Sequence, residues 1–440
     1  MTSERGRPNV MRVGLLGAGT VGREVVRAFL ERPEALAVDR RPRLVLHAVA
    51  VRDVDRATNG GIDPGILTDA PAHLVASPET DVIVELMGGD EPARTLIAAA
   101  LESGKAVVTA NKHVLAHHGP GLEEIARRRG APLRFEAAVG GGIPVLGPLA
   151  AELASNRVTH VRGIVNGTTN AILSAMADPT RSDGPIGYDR ALADAQAAGY
   201  AEADPTADVT GADAANKLSI LSRLAFGAWL EPDSIDTRPP AVDAGVEAPR
   251  GITTVDARLI AGAAALDLAV RLVADARQES SGGPIAASVL PTAVPLADPL
   301  GRVTGVTNRI EIRAEPLGSV AFSGPGAGGP ATASAVLADL RAIASDAGST
   351  WAGLVPGGSA RAVRVDDDTA AADRGWLAVL PGRFDGPGIA AADVVMVVVG
   401  ETTAIHAAGR SRASMRELLA GLGADPRTVF LPVDERMPRR

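Results

Sequence analysis

The chain reads as an α/β protein: a doubly wound parallel sheet first, then an α+β domain, then a small C-terminal α+β module. Three observations carry that expectation. Short apolar runs alternate with helical periodicity from Met11 to about Gly142, a glycine-rich hexad follows the first of these runs, and beyond Gly142 the strict alternation stops. At 440 residues the chain is too long for one ordinary domain.

Residues 1–10 are polar and read as a disordered tail. In the dinucleotide-binding unit expected over 11–142, the pattern predicts strands at Arg12–Leu16, Leu44–Val51, Val82–Leu86, Ala106–Thr109 and Leu133–Glu136, with helices at Val21–Glu31, Glu91–Ser103 and Gly121–Arg129. The substrate-binding and dimerisation unit over 143–315 carries a strand near His160–Val165, helices at Asn170–Ala177, Asp189–Ala198 and Ala214–Ala228, a long helix at Val255–Ala274, and strands at Ile285–Leu290 and Arg309–Ala314. Pro232–Arg250 is loop-like. A segment over 316–346, with a helical pattern at Thr332–Ser345, returns to the first unit. The module at 350–440 shows one strong strand, Asp393–Val399, a helix at Ala413–Leu422, and a polar, linker-like stretch at Asp366–Asp373.

Composition narrows the partners. The net charge of -8 and pI near 5.5 give no global attraction for nucleic acid or an anionic membrane. No apolar run is long enough to span a bilayer: the stretch Ile260–Val273 is broken by Asp267 and Arg271. Arg5, Arg7 and Arg12 before Val13–Leu16 faintly imitate a secretion signal, but the run is short and glycine-rich and reads as the first strand. The absence of cysteine excludes disulfides, thiolate metal sites and thiol nucleophiles, and a cytoplasmic enzyme is expected. Only three lysines, Lys105, Lys112 and Lys217, occur among 44 Lys plus Arg. Arginine stays charged near neutral pH whereas a buried lysine can lose and regain a proton, so a lysine retained here is either a chance leftover or the mark of a task arginine cannot perform.

The hexad Gly17-Ala18-Gly19-Thr20-Val21-Gly22 lies between strand and helix near the N-terminus. Gly17 allows a tight turn, Gly19 lets the backbone approach a pyrophosphate, and Gly22 lets helix and strand pack closely. This predicts a Rossmann-type domain. The second strand ends at Arg52-Asp53; an arginine there suits the 2′-phosphate of NADP, while Asp53 keeps NAD open.

Four segments carry the substrate side. Thr109-Ala110-Asn111-Lys112 follows a parallel strand and puts Lys112 near the reactive end of a dinucleotide. Glu136 precedes the glycine run Gly140–Gly142, whose carbonyls suit a hinge or a hard-cation site, the hinge being the better reading of these residues. Asn166-Gly167-Thr168-Thr169-Asn170 is a polar turn in which Thr169 or Asn170 can cap a helix. The most specific is Gly199-Tyr200-Ala201-Glu202-Ala203-Asp204-Pro205, with Asp208, Gly211, Asp213 and Lys217 beyond it. Asp213 and Lys217 are i and i+4 on one helix face. A lysine can take up a hydroxyl proton as hydride departs, and the carboxylates suit an ammonium group, so the set fits an amino alcohol. A non-catalytic dinucleotide sensor is the rival reading, and the retained Lys112 and Lys217 argue against it.

From Met11 to about residue 346 the chain resembles the homoserine dehydrogenases, through GAGTVG (17–22), TANK (109–112), EAAVGGGIP (136–144), GIVNGTTN (163–170), GYAEADPTADVTGADAANK (199–217) and GPGAGGPATASAV (324–336), in the family's order. The resemblance implies interconversion of L-homoserine and L-aspartate 4-semialdehyde in threonine, methionine and isoleucine biosynthesis. It implies Lys217 as acid–base residue and Lys112 at the reacting centre. It implies substrate contacts from Gly167, Thr168, Tyr200, Glu202, Asp208, Asp213 and Lys217, and cofactor contacts from Gly17, Ala18, Gly19, Thr20, Val21, Gly22, Arg52, Thr109, Ala110, Lys112 and Gly326. Glu136, Val139, Gly141 and Ile143 would hold a monovalent cation, Na or K, mostly through main-chain oxygens, which replaces the hinge reading. A homodimer, or a tetramer, is expected through the substrate domain's sheet. Lys105 matches no functional position and reads as a surface lysine. Long relatives often end in an ACT-type domain that senses threonine; here Gly386-Pro387-Gly388-Ile389 runs almost directly into the strand, leaving little room for that domain's helix, so a degenerate or different module is expected. No kinase-like segment precedes residue 11.

Overall fold

A computed structural model describes residues 10–37, 42–180, 185–363, 375–384 and 393–434. The Asp366–Asp373 linker, the Gly386–Ile389 turn and the N-terminal tail before Val10 lie outside the described residues. The first part of the chain runs β1 (Val10–Leu16), α1 (Thr20–Glu31), β2 (Arg43–Ala50), α2 (Val54–Asn59), β3 (Leu67–Thr68), α3 (Pro71–Ala76), β4 (Val82–Glu85), α4 (Ala93–Glu102), β5 (Ala106–Thr109), α5 (Lys112–Arg129) and β6 (Leu133–Arg134). Its six strands pair in parallel in the order β3-β2-β1-β4-β5-β6. That is the doubly wound arrangement, with ligands expected beyond the carboxyl ends of β1 and β4, where the winding reverses. Every residue of β4 and β5 is buried, as parallel strands covered on both faces must be.

One helix is longer than the pattern suggests. Gly119-Pro120-Gly121 reads as a break, yet α5 starts at Lys112 and carries Pro120 inside it. Asn111 caps it, accepting from Val114 N at 3.1 Å. Gly119 is the point where the Trp229 ring lies against the helix: a Cβ there would meet the ring at 2.7 Å. Lys112 therefore opens a helix instead of ending a loop.

The chain continues through α6 (Leu146–Ala150), β7 (Arg157–Ile164), α7 (Gly167–Met176), α8 (Tyr188–Ala197), α9 (Thr206–Val209), α10 (Ala212–Phe226), β8 (Ala228–Leu230), α11 (Ala257–Ala264), β9 (Leu268–Arg277), β10 (Ala286–Pro295), β11 (Thr307–Glu315), β12 (Gly318–Pro325), α12 (Gly329–Ala344), β13 (Gly358–Ala360), β14 (Gly375–Pro381), β15 (Val394–Val399), β16 (Thr402–Ala407), α13 (Arg412–Gly421) and β17 (Leu431–Val433). The long helix expected at Val255–Ala274 is instead α11 followed by β9. Asp267, at φ 56°, turns the chain between them, and β9 is buried on both faces, so it lacks the alternation that marks a strand.

A nine-stranded mixed sheet runs β12-β11-β7-β9-β10-β17-β14-β16-β15. The C-terminal strands β14 to β17 occupy its last four places, in spatial order fourth, first, third, second, with α13 before the fourth, as in a split βαβ unit. This part joins the rest through the parallel contact of Ala293 with Val433 and the ion pair of Arg162 with Asp434. Helix α12 returns to the first sheet, sharing a core with β1 and α1 through Ala333, Val336 and Leu340.

Candidate active site

The glycine hexad has the geometry its residue types suggest. Gly17 sits at φ 97°, and a Cβ there would meet Leu86 O at 2.8 Å; a Cβ on Gly22 would meet Gly17 O at 2.1 Å. Gly19, by contrast, faces open space. It caps α1 with no side-chain acceptor and no acidic residue in the first turn, leaving the amides of Thr20 and Val21 and the helix dipole for an anion. Ala18 lies between the two turn glycines. Across the rim, Gly141, at φ 58°, lies so close to Gly326 that a Cβ would meet its carbonyl at 2.7 Å, bringing the Gly324–Gly328 loop over the same edge.

At the end of β2, Arg52 is exposed, and Asp53 spends a carboxylate oxygen on Arg56 N at 2.8 Å as the cap of α2. The TANK segment is braced from beneath by Glu85, which sequence reasoning passed over. This buried carboxylate accepts from Thr109 Oγ1 at 2.6 Å and from Met87 N at 2.8 Å. Thr109 Oγ1 accepts from Asn111 N at 3.0 Å, and Asn111 Nδ2 donates to Gly89 O at 2.8 Å. Thr109 and Asn111 thus lock the ends of β4 and β5 and fix where α5 starts; Ala110 lies between them.

From there Lys112 reaches α10. Its Nζ lies 3.0 Å from Asp213 Oδ1, while Lys217 Nζ donates to Asp213 Oδ2 at 2.7 Å and to Val165 O at 2.7 Å. Lys217 is 8% exposed; the Lys112 side chain, at 42%, sits at the open side. Asn166 Nδ2 donates to Asp213 Oδ2 at 2.8 Å and to Asp208 Oδ1 at 2.7 Å. Its Oδ1 accepts from Thr169 N at 2.9 Å, so Asn166, not Thr169 or Asn170, caps α7. Asn170 instead donates to Gly305 O at 2.8 Å. Gly167 opens α7, and its closeness to Val306 O leaves no room for a side chain. Thr168 Oγ1 donates to Tyr200 O at 2.7 Å, tying the 199–205 loop to the same place; the Tyr200 ring is exposed. Glu202 follows in that loop and acts on the charge of Lys112.

The charges fall out of this packing. Burial alone would push the Asp213 carboxyl up, but Lys217, Lys112 and the bonds from Lys217 and Asn166 hold it well below the ordinary carboxylate range. For Asp208 burial dominates and Asp213 adds to it, so its carboxyl is pushed up. The Asp213 charge outweighs burial at Lys112 and holds its ammonium more firmly protonated. Lys217 Nζ has three donors when protonated, and Asp213 and Val165 take two.

Glu136 is committed differently. Its carboxylate accepts from Val145, Leu146 and Gly147 N at 2.7–2.8 Å, and burial pushes its carboxyl up. Among the described residues no backbone donor outside the helices and strands reaches the carbonyl oxygens of Val139, Gly141 and Ile143, while Glu136 opens a 3-10 turn. Main-chain oxygens there fit a hard cation; the carboxylate does not, without giving up its amides. No cluster of three or more His, Asp or Glu able to hold a metal occurs among the described residues.

The two lysine-bearing helices are tied together far from the lysines. Glu123 of α5 accepts from Arg223 of α10 through Nε at 2.8 Å and Nη2 at 2.7 Å, and from Trp229 Nε1 at 2.9 Å. Lys105 is no free surface lysine: its Nζ donates to Val75 O and Ser77 O at the end of α3.

Family models described as homoserine dehydrogenase and as homoserine dehydrogenase, NAD binding domain, match residues 144–340 and 17–136. The homoserine dehydrogenase of Mycobacterium tuberculosis is 45% identical over 331 residues, covering 74% of this chain and 71% of that protein. The crystal structure of a homoserine dehydrogenase from Thiobacillus denitrificans superposes with a TM-score of 0.79 at 31% identity, covering 98% of this chain and 99% of that one. A hyperthermophilic archaeal homoserine dehydrogenase in complex with NADPH superposes with a TM-score of 0.61 at 27% identity, over 76% of this chain and 98% of that one.

Proposed function

The chain belongs to the homoserine dehydrogenase family, an oxidoreductase interconverting L-homoserine and L-aspartate 4-semialdehyde with a nicotinamide dinucleotide, and we propose on that premise that Lys217 moves the proton. The observation that carries this is the arrangement of Lys217: buried, anchored by Asp213 and Val165 O, with one position of its amine left over. The bound nicotinamide supplies the hydride acceptor in the oxidative direction. Lys217 takes the homoserine hydroxyl proton as the C–H bond breaks and returns it in reverse. Lys112, held charged by Asp213, orients the reacting oxygen. Asp208 and Glu202 receive the substrate's ammonium group, while Asp213 keeps both lysines in place. Gly167, Thr168 and Tyr200 form the wall of the substrate pocket.

The hexad 17–22 holds the pyrophosphate through its amides, with Thr109, Ala110, Lys112 and Gly326 along the remainder of the dinucleotide. NADP is the preferred form. Asp53, the residue that would select NAD, is occupied as a helix cap, while Arg52 is exposed at the strand end. A structural neighbour was solved with NADPH. A sodium or potassium ion would be held by main-chain carbonyls of Glu136, Val139, Gly141 and Ile143, and would there fix the loop between the first sheet and α6. We divide the chain at residues 142, 315 and 346 into dinucleotide-binding, substrate and returning parts before the C-terminal module. We further assign it to a cytoplasmic homodimer in threonine, methionine and isoleucine biosynthesis. The test is reduction of NADP and of NAD by the purified protein with L-homoserine at alkaline pH, where release of a proton favours oxidation. Turnover with homoserine, but not with threonine or serine, and faster with NADP, is expected. Equal rates with the two cofactors would remove the role of Arg52, and no turnover would remove the substrate assignment.

A further inference from the structure

Asn166 uses its amide at both ends. The oxygen accepts from Thr169 N at 2.9 Å and from the Thr169 hydroxyl at 3.1 Å, capping α7. The nitrogen donates to Asp208 of α9 at 2.7 Å and to Asp213 of α10 at 2.8 Å. A side-chain amide carries two N–H donors, and here both go to carboxylates from different segments. Asn166 is 4% exposed, and the preceding residue, Val165, supplies the carbonyl that anchors Lys217.

Capping does not explain the amide. A cap needs only an acceptor, and aspartate or serine serves about as well as asparagine. What asparagine adds is a neutral double donor between two carboxylates that otherwise repel. The charged groups facing Asp208 are Asp213 and Lys217 from α10 and Lys112 from α5, with Glu202 near Lys112; burial and Asp213 work against its ionisation, while Asn166 and the lysines favour it.

We propose that Asn166 is a positioning residue for the hydride transfer: its amide clamps Asp208 beside the Asp213–Lys217 pair and keeps the Asp208 carboxylate aimed at the substrate's ammonium group. The inference rests on the assignment of Asp208 above. It acts mainly on substrate binding, because Lys217 keeps its own anchors when the clamp is lost.

Two variants separate the clamp from the cap. Asn166→Asp keeps the acceptor, loses both donors and adds a charge; Asn166→Ser keeps the acceptor and can donate only one hydrogen. Melting temperature, dinucleotide affinity and the pH dependence of kcat/KM for L-homoserine are measured on the full chain. Dinucleotide affinity stays near that of the unsubstituted protein in both variants; the melting temperature of Asn166→Ser stays close to it as well, whereas that of Asn166→Asp falls, because its new carboxylate lies beside Asp208 and Asp213. The kcat/KM of Asn166→Asp falls at least about tenfold, mostly through KM, as expected for losing hydrogen bonds to a charged group. The acid limb of its profile moves to higher pH, and Asn166→Ser falls between. If both variants stay within about twofold of the parent with the same acid limb, or if the loss in Asn166→Ser simply follows a drop in its melting temperature, Asn166 is a cap and nothing more. A parent protein that fails to oxidise homoserine would overturn the site reading itself, whereas parent turnover matched by both variants overturns only the role of Asn166.

Discussion

Substituting Arg223 by methionine tests how the catalytic helices are held. Arg223 has no solvent exposure and makes two bonds to Glu123, at 2.8 and 2.7 Å. Methionine fills much of the same volume but leaves the Glu123 charge buried. Breaking a buried pair from one side costs about 3–5 kcal/mol. Arg127 Nε at 2.9 Å and Trp229 Nε1 at 2.9 Å remain on the carboxylate, which places the expected loss near the lower end, about 3 kcal/mol. Replacing both partners, Glu123→Met with Arg223→Met, removes the stranded charge but leaves the buried Trp229 Nε1 without its acceptor, so stability should recover only in part, to about 1–2 kcal/mol below the parent. Trp229 donates to Glu123 and packs on Phe135 and Trp351, so its fluorescence reports this locus in urea titrations. The single variant should also lose turnover more than dinucleotide affinity, because Lys112, Asp213 and Lys217 ride at the starts of the two tied helices. A loss below about 1 kcal/mol for Arg223→Met, or a double variant worse than the single, would refute the clamp.

Gly119→Ala should destabilise by about 1–3 kcal/mol in the same titration, since its Cβ would strike the Trp229 ring at 2.7 Å and this outweighs the helix propensity gained; a stabilised variant would contradict the contact. Arg52→Ala should weaken NADP by about tenfold and NAD hardly at all in direct binding measurements; equal losses would contradict a 2′-phosphate contact. Burial, with Asp213 beside it, pushes the Asp208 carboxyl up, and its ionised form binds the ammonium group, so KM for homoserine should rise as pH falls through a value above the ordinary carboxylate range. Asp208→Asn should raise KM throughout and abolish that acid limb; an unchanged limb would assign it elsewhere.

The parts of the fold legible in the sequence are those where backbone geometry dictates residue type. Gly17 and Gly22 are glycines because a Cβ would collide with Leu86 O or Gly17 O, so the hexad shows before any packing is known. Asp213 and Lys217, one helical turn apart, are legible because local spacing sets their contact. What escaped depends on partners distant in sequence. Strand β9 is buried on both faces and resembled helix; β14, β16 and β17 are short and take their places from each other and from β10. The Glu123–Arg223 pair joins residues separated by 100 positions, and no local pattern marks it. Asn166 lay inside a recognised turn, but its two carboxylate partners belong to α9 and α10.

The most direct test of Lys217 as the proton-transferring group is the single-turnover rate of homoserine oxidation by Lys217→Arg with dinucleotide prebound. Arginine keeps the charge and can still bond Asp213, but it does not give up its proton near neutral pH. A fall of about 10²–10⁴-fold in the chemical step, with dinucleotide affinity unchanged, is the expected result. A Lys217→Arg protein that turns over at near the parent rate would contradict the assignment and pass the proton to another group at the site.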